Sequence, residues 1–444
     1  MNNTQATVLI TLFRYIIFFI MIGVGLKAGF AQEVETVTEV ITETPAALNS
    51  GDTAWMLVST VFVLLMTIPG LALFYGGMVR KKNVLATMMQ SFAICCLVSI
   101  LWFVIGYSLS FSGENPYFGN FSHAFLVGIS LDDLNGTYPA YLWVMFQMAF
   151  AIITPALMAG AFAERMKFSS MLLFMGLWLL LVYTPVCHWI WGGGFLSEDG
   201  VLDFAGGTVI HVNAGVAGLV TALILGRRTG YGKINMAPHN LTLSIMGAAF
   251  LWLGWFGFNA GSAGAANKVA AIAMLNTQIA SAAGALAWMV FEWVISKKPS
   301  VLGIISGSVA GLVAITPAAG FVEPVGALII GIIAGPVCYI AAVFIKRMLA
   351  YDDSLDAFGV HGVGGIVGAL LTGAFASPIF FDSSASFAKV SVINQFYGLV
   401  ATIIYSAIVT AIILYVIKKI IGLRPTRQQE VEGLDISLHG ETIQ

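Results

Sequence analysis

The sequence is poor in charge and in long polar stretches. Only 9% of its 444 residues are Asp, Glu, Lys or Arg, whereas 59% are hydrophobic. A soluble domain of this size carries many more charged residues on its surface. The composition therefore excludes an ordinary soluble fold. The formal charge of −2, with no extended basic stripe, also gives no reason to expect binding to nucleic acid.

Cysteines are scarce as well. The chain has four, all within hydrophobic runs: Cys95, Cys96, Cys187 and Cys338. Their spacing matches neither a metal site nor a disulfide framework, and we assign them no function. The sequence predicts no metal and no other cofactor.

Long hydrophobic runs take the place of polar surface. About 20 apolar residues cross the roughly 30 Å hydrocarbon core of a bilayer as a helix. We predict eleven such segments, at 54–77, 84–110, 140–163, 168–191, 206–226, 238–258, 268–296, 300–317, 324–346, 359–378 and 391–421. The predicted fold class is an all-α polytopic membrane protein, with a transmembrane domain over 54–421 and a tail over 422–444.

The N-terminal region has a different pattern. A single basic residue, Arg14, precedes an apolar stretch and then small residues, which predicts a cleaved signal peptide over 1–31. The alternative is an uncleaved additional helix, because Arg14 comes late. Residues 32–53, rich in Glu and Thr, are predicted to form an extracytoplasmic lead-in.

The positions of lysine and arginine predict the orientation of the chain in the membrane, since positively charged loops stay in the cytoplasm. Nearly all of them fall in alternate loops or in the tail, and Lys268 and Lys389 are the two on the opposite side. The mature N-terminus is therefore predicted outside and the tail inside. We use "outer" and "inner" in this predicted sense.

The fifth and tenth segments contain a faint repeat. His211 is followed at plus four and plus seven by Gly215 and Gly218, and His361 has glycines at the same two offsets. The first and sixth segments resemble each other more weakly. With five helices in each half, the second half must enter the membrane from the opposite side, which predicts an inverted five-plus-five repeat. His211 and His361 are then expected to meet near mid-membrane.

Ionisable groups are costly inside a bilayer, at roughly 2.5 to 3.5 kcal/mol for a charge. A single buried histidine is usually explained by a structural hydrogen bond, but the paired His211 and His361 indicate a pore that binds a small polar molecule. A metal site is disfavoured because no carboxylate or cysteine stands at ligand spacing. Asp203, at the outer entrance to the fifth segment, either caps that helix or contributes to the site, and the two roles are compatible.

Five strings carry a family resemblance. They are TIPGLALFYGG (67–77), DFAGGTVIHVNAG (203–215), WFGFNAGSAG (255–264), DAFGVHGVGG (356–365) and EGLDISLHGE (432–441). In this order they make the chain resemble the bacterial ammonium transporters of the Amt/Mep/Rh superfamily, over almost everything after residue 52. The resemblance implies a multi-pass protein of the bacterial inner membrane, with ammonium as substrate and methylammonium as its analogue.

The resemblance also implies roles for particular residues. Phe150, Trp191 and Ser262 would recruit ammonium on the outer side, and Phe150 with Phe258 would form a gate below that site. His211 and His361 would be the twin histidines of the pore. Asp203 would have a structural and electrostatic role near the recruitment site.

The implied mechanism is that ammonium loses its proton near the phenylalanine gate and passes the histidines as ammonia. Potassium and sodium have no proton to lose, so the same step would exclude them. Whether the released proton crosses separately, which would make transport electrogenic, is left open by the residues.

The resemblance implies two partners besides the lipid bilayer. The protein would form a homotrimer with one pore per subunit. A trimeric PII signal protein would dock on the cytoplasmic face, and the tail over 422–444 would be regulatory. The alternative for the tail is a passive solvated segment.

Other functions are weighed against this one. An ammonium sensor would share the outer site but usually carries a fused signalling domain. An intramembrane enzyme would need a nucleophile beside a base, and no serine or cysteine pairs with His211 or His361 in the sequence. A neutral gas or water channel would be unaffected by changes at Trp191 or Ser262.

Overall fold

Helices make up about three quarters of the chain that the structure describes, which is residues 47–381 and 383–443 of a computed structural model. One small antiparallel pair of strands, β1 (Leu134–Asn135) and β2 (Tyr138–Pro139), lies in an outer connection. The predicted all-α membrane fold is confirmed. The predicted signal peptide over 1–31 and residues 32–46 of the lead-in lie outside the described residues.

Ten helices within the described residues are long and apolar enough to cross a membrane. They are α1 (Ser50–Met78), α2 (Lys81–Phe111), α3 (Ala140–Phe162), α4 (Phe168–Glu198), α5 (Gly207–Leu225), α6 (Leu241–Gly261), α7 (Lys268–Ser296), α9 (Pro324–Leu349), α10 (Phe358–Phe375) and α11 (Val392–Ile420). Each coincides with a predicted segment. The remaining segment forms α8 (Val301–Ile315), which at 15 residues is shorter than a full crossing, so the count of eleven crossings and the orientation stay predictions.

Several long helices contain wide, π-helical turns. These turns cover Met66–Leu71, Trp102–Gly106, Leu179–Tyr183, Gly207–Val212, Ile340–Ile345 and Phe358–Gly362. A further one, Asp435–His439, follows the tail helix α12 (Arg427–Glu432). Short helical pieces lie at Lys81–Asn83, Ala124–Leu126, Phe195–Glu198, Pro378–Phe380 and Ser384–Ala388. Two of the π-turns begin α5 and α10 and contain the paired histidines, and such turns are frequent at functional sites.

Five membrane helices begin at a polar side-chain cap, and the first of these is α1, which is capped by Asn49. Asn240 accepts hydrogen bonds from two backbone amides at the start of α6, and Asn267 does the same for α7. Ser300 and Ser391 each accept one at the starts of α8 and α11. A side-chain oxygen at this position satisfies amides that the first turn leaves free.

Small residues allow the helices to approach closely. In the bundle of α7, α8 and α9, a β-carbon added at Gly311 would lie 2.2 Å from the Ala280 oxygen, and one at Gly331 would lie 2.4 Å from the same atom. Where α6 packs against α1, a β-carbon at Gly254 would lie 2.6 Å from the Phe62 oxygen. The glycines are therefore contact points between helices, as their spacing predicts.

Candidate functional site

Five aromatic rings form a continuous row through the centre of the bundle. Trp191 meets Phe150 edge-on, with ring centroids 5.9 Å apart. Phe150 stacks on Phe258 at 4.4 Å, Phe258 on His211 at 6.0 Å, and His211 on His361 at 5.2 Å. The structure thus places the predicted gate directly next to the predicted histidine pair.

The two histidines meet through their Nδ1 atoms, which lie 3.3 Å apart. One of these nitrogens must be N–H and the other a lone pair, so the two rings cannot both be cations. In the neutral pair, the ring that donates through Nδ1 keeps Nε2 as an acceptor, and the other ring keeps an Nε2–H donor. His211 Nε2 is buried with no hydrogen-bond partner among the described residues. The pair therefore offers both a donor and an acceptor to a small polar molecule.

Glycines four residues after each histidine bring the two helices together. A β-carbon at Gly215 would lie 2.3 Å from the Gly362 nitrogen. A β-carbon at Gly365 would lie 2.8 Å from the Gly207 oxygen. Each glycine thus packs against the π-turn that carries the other half's histidine. The sequence repeat therefore corresponds to a pair of equivalent contacts between the two halves.

Asp203 fixes the start of α5. Its carboxylate accepts four backbone N–H groups, from Gly206 (2.8 Å), Gly207 (2.6 Å), Thr208 (2.8 Å) and Val209 (2.9 Å). A carboxylate suits the positive end of a helix, and here it also satisfies amides that the π-turn leaves free. The capping role considered for Asp203 is present in the structure.

Asp353 has the same position in the second half, and the sequence analysis missed it. Like Asp203, it stands eight residues before its histidine. Its carboxylate accepts the amides of Ala357 (3.1 Å) and Phe358 (2.8 Å) at the start of α10. Burial, and then the charge of Asp356, raise the pKa of Asp353 to about 6. An aspartate at the same offset from both histidines was the sequence signal that could have identified it.

Trp191 is the outermost ring of the row, and Ser262 follows the end of α6, four residues after Phe258. The Trp191 indole nitrogen donates to the Asp203 backbone oxygen at 2.8 Å, which fixes the ring against Phe150. The Ser262 hydroxyl donates to the Phe258 oxygen at 2.8 Å. Since its one proton is used there, its lone pairs remain available to accept a hydrogen bond from a cation. Both side chains are partly exposed.

The phenylalanine pair closes the row below that site. Phe150 is 1% exposed and Phe258 is 0% exposed, and their rings stack at an interplanar angle of 23°. Among the described residues, no lysine or arginine lies over either phenylalanine ring, and Trp255 stacks on His211 at 5.3 Å to complete the apolar wall. A hydrated ion would therefore have to lose its water to enter.

A small cavity of about 20 Å³, room for about one water molecule, lies on the inner side of His361. Its lining includes Tyr75, Ser306 and Asp356. Lys346 forms an ion pair with the Asp356 carboxylate near this cavity. The row of rings thus ends at a small cavity on its inner side.

The inner face carries a buried ion cluster around Glu164. Arg80 and Arg228 pair with its carboxylate at 3.0 and 2.9 Å, and Asn83 donates to it at 2.9 Å. Arg228 continues to Asp352 at 2.8 Å. Burial acts to raise the pKa of Glu164, but the hydrogen bond and charges of the two arginines outweigh it and the pKa is lowered. The cluster joins the ends of α1, α3, α5 and α10.

The tail is folded onto this face. Glu430 on α12 is buried and pairs with Arg424 at 2.6 Å, and Thr229 donates to it at 2.6 Å. Asp435 accepts two amides at the start of α2, from Leu85 (3.1 Å) and Ala86 (2.8 Å). These contacts hold the tail against the inner face.

Within the described residues, no three His, Cys, Asp or Glu side chains come together as a metal-binding group. The four cysteines are free. His188 is buried in α4, with its ring nitrogens 3.0 Å from the Ser110 oxygen and 2.7 Å from the Asn115 oxygen. It therefore connects α4 to the end of α2 and to the loop that follows α2.

Comparison with known sequences gives matches over most of the chain. The profile of the Ammonium Transporter Family matches residues 54–443. An ammonium transporter from Aquifex aeolicus is 52% identical over 400 residues, covering 89% of this chain and 94% of that protein. One from Bacillus subtilis is 48% identical over 400 residues, covering 89% of this chain and 98% of that protein.

Solved structures match equally broadly. The crystal structure of Mep2 from Saccharomyces cerevisiae has a TM-score of 0.79 and 35% identity, covering 86% of this chain and 89% of that one. The structure of a sensor Amt protein has a TM-score of 0.82 and 29% identity, covering 88% of this chain and 98% of that one.

Proposed function

Because this chain belongs to the ammonium transporter family, we propose that its row of rings is a conduction path that recruits ammonium outside and passes ammonia by His211 and His361. Membership of the family establishes ammonium transport as the activity. The protein is a multi-pass membrane protein that transports ammonium, and its relatives are transporters rather than enzymes.

Recruitment takes place at Phe150, Trp191 and Ser262. The faces of aromatic rings attract a cation by roughly 0.5 to 2 kcal/mol. The free lone pairs of the Ser262 hydroxyl accept one ammonium N–H. Asp203 does not bind the ion in this scheme, because four backbone amides occupy its carboxylate. It instead holds the Trp191 indole through its backbone oxygen.

Deprotonation takes place at the phenylalanine gate. The cation–π attraction offsets only part of the cost of removing water from a charge in an apolar passage. Ammonium avoids the rest of this cost by giving its proton to water at the partly exposed outer site, beside Trp191 and Ser262, and crossing as neutral ammonia. Potassium and sodium ions have no such route, so the sealed pair of Phe150 and Phe258 supplies selectivity.

The histidine pair receives the ammonia. One Nε2 donates to the ammonia lone pair and the other accepts an ammonia N–H. The observation that carries the proposal is the 3.3 Å contact between the two Nδ1 atoms, directly beyond the stacked gate and directly before the inner cavity. The proton on the shared Nδ1–Nδ1 bond also offers a route for separate proton transfer, which would make transport electrogenic.

Assembly and regulation extend the proposal. We assign 1–31 to a signal peptide, 32–53 to the lead-in, 54–421 to the transmembrane domain and 422–444 to a regulatory tail, in a homotrimer with one pore per subunit. A PII signal protein would dock on the inner face. The folded tail supports this assignment, because Glu430 joins it to the loop after α5 and Asp435 joins it to the start of α2, both on the inner face where a partner would dock.

The proposal is tested by replacing each histidine with alanine. We expect His211→Ala and His361→Ala either to lose methylammonium uptake or to admit potassium, because the variant pore lacks its donor–acceptor pair. Uptake and potassium currents are measured in liposomes that contain equal amounts of folded protein. If both variants keep the wild-type rate and exclude potassium, the pore assignment is wrong.

A further inference from the structure

Gln395 connects the last membrane helix to the residue that precedes Asp203. It lies in the first turn of α11 and is 1% exposed. Its Oε1 accepts the Leu202 amide at 2.7 Å, and its Nε2 donates to the Leu202 oxygen at 2.8 Å. The second Nε2 proton goes to the Ala369 oxygen on α10 at 3.1 Å. The Gln395 side chain thus pairs with both the N–H and the C=O of Leu202, in the way that a residue on an adjacent β-strand would.

The chemistry of this contact requires an amide. The oxygen faces an N–H group and the nitrogen faces two carbonyls, so turning the amide around would create three repulsive contacts. Neither a carboxylate nor an apolar side chain of the same length reproduces all three bonds. Irregular backbone at membrane depth needs such partners, and Leu202 lies in a stretch without helical hydrogen bonds between Val201 and Gly206.

Asp203 follows Leu202 in the chain and connects it to the outer site. Its backbone oxygen accepts the Trp191 indole N–H at 2.8 Å, and Trp191 lies against Phe150. Its carboxylate is held separately by four amides of the π-turn. A shift of Leu202 therefore acts first on the carbonyl that holds the indole, and less on the turn that carries His211.

We propose that Gln395 is a positioning residue for the outer recruitment site, acting through Leu202 and Asp203 on Trp191. This inference rests on the proposed function of Trp191. Removal of the amide leaves the Leu202 backbone unpaired, so that the Asp203 carbonyl moves and the indole loses its fixed orientation. The expected result is weaker recruitment of the cation with little change in the maximal rate.

The neighbouring residue provides a matched control. Asn394 is also a side-chain amide at the start of α11, and its Nδ2 donates to the Asp199 and Lys389 oxygens, both at 2.8 Å. It is half-buried and contacts the same outer loop four residues before Asp203. Asn394→Ala removes an amide from the loop without touching Leu202.

The experiment measures the half-saturating concentration and maximal rate of methylammonium uptake for Gln395→Met, Gln395→Glu and Asn394→Ala in the full-length protein. Losing hydrogen bonds to a buried backbone group predicts a rise of about tenfold in the half-saturating concentration for both Gln395 variants. Asn394→Ala should stay within about twofold of wild type, as expected for a partly exposed contact.

A double-variant cycle separates positioning from general damage. In a Trp191→Leu background, Gln395→Met should raise the half-saturating concentration no further, because the indole it positions is absent. An equal fold-change in both backgrounds would overturn the inference. So would a lower maximal rate at an unchanged half-saturating concentration, or failure of both Gln395 variants to reach the membrane, since either result makes Gln395 a general structural residue.

The outcomes also separate this inference from the proposed function. If Trp191→Leu alone leaves the half-saturating concentration unchanged, the recruitment site itself is wrong. If Trp191→Leu raises it while both Gln395 variants match wild type, recruitment stands and the role of Gln395 is wrong.

Discussion

Gly215 and Gly362 are in direct backbone contact. A β-carbon on Gly215 would lie 2.3 Å from the Gly362 nitrogen and 2.4 Å from its Cα atom. Gly362 follows His361, and Gly215 stands one helical turn after His211, so this contact sets how closely the two imidazoles approach. The 3.3 Å bond between the Nδ1 atoms depends on a place where neither helix has a side chain.

Gly215→Ala should therefore separate the histidines and abolish most transport. The added methyl group meets backbone atoms that cannot rotate away, and overpacking of this kind costs roughly 1 to 3 kcal/mol. Uptake of methylammonium per folded protein measures the effect. Gly176→Ala is the matched control, since its β-carbon would meet only the end of the Leu101 side chain at 3.3 Å and should leave uptake near wild type.

Ser262→Ala should weaken recruitment without changing the gate. A hydrogen bond to a charged group contributes about 1.5 to 3 kcal/mol, which corresponds to a rise of roughly ten- to a hundredfold in the half-saturating ammonium concentration. The maximal rate should change little, because Phe150 and Phe258 are untouched. Concentration-dependent uptake measures both quantities.

The control for this variant is Ser99→Ala. Ser99 donates to the Cys95 oxygen at 2.7 Å, the same backbone bond that Ser262 makes to Phe258. If both serine variants change uptake equally, the effect belongs to the helix rather than to the cation. A water or gas channel, in contrast, would be indifferent to Ser262→Ala.

Glu164→Gln should destabilise the protein in a pH-dependent way. Removing one partner of a buried ion pair costs roughly 3 to 5 kcal/mol. Because the arginines lower the pKa of Glu164, this stabilisation is fully present above the ordinary glutamate pKa of about 4.3 and is lost as pH falls through the lowered value. The gap in unfolding temperature between wild type and variant should be large at pH 7 and should close in strong acid.

Glu292→Gln tests whether this effect depends on burial. Glu292 is a carboxylate that accepts from the Ser300 hydroxyl at 2.9 Å in an exposed setting, without an arginine partner in its hydrogen bonds. Its substitution should lower the unfolding temperature by little at any pH. A pH-independent gap for Glu164→Gln would contradict the ion-pair explanation.

Asp435→Ala should release the tail from the inner face. Loss of a carboxylate that caps helix amides costs about 1 kcal/mol, and Leu85 and Ala86 would lose their acceptor. Hydrogen exchange over 427–443 should become faster, while exchange in α5 stays unchanged. Glu441→Ala, at an exposed position of the tail, is the control and should leave the exchange rates as they are.

The sequence was sufficient to predict the helices and the meeting of the two histidines. Hydrophobic runs are long and punctuated by charge, so the bounds of α3 and α7 follow within about 2 residues. The offset of plus four between each histidine and its glycine predicted a repeat. It did not reveal that Gly215 packs on the other half's π-turn, since a partner in three dimensions leaves no local pattern.

Other features depend on long-range contacts that single-sequence analysis cannot identify. In the sequence, Gln395 is indistinguishable from any other polar residue at the start of a helix. Its partner Leu202 lies 193 positions away, and only the fold brings the two together. Glu164 and its arginines read as ordinary loop charges until the chain brings them together. Asp353 differs, because its offset from His361 matched that of Asp203 and was available in the sequence.

The most direct test of the account uses purified protein in liposomes that enclose a pH dye. A pulse of ammonium is applied, and the electrical current and internal pH are recorded together, with a potassium pulse as control. The account predicts a response to ammonium alone: internal alkalinisation without current if ammonia crosses by itself, or a current if the proton crosses beside it. A potassium current of similar size, or no response to ammonium, would contradict the claim that deprotonation at the gate selects the substrate.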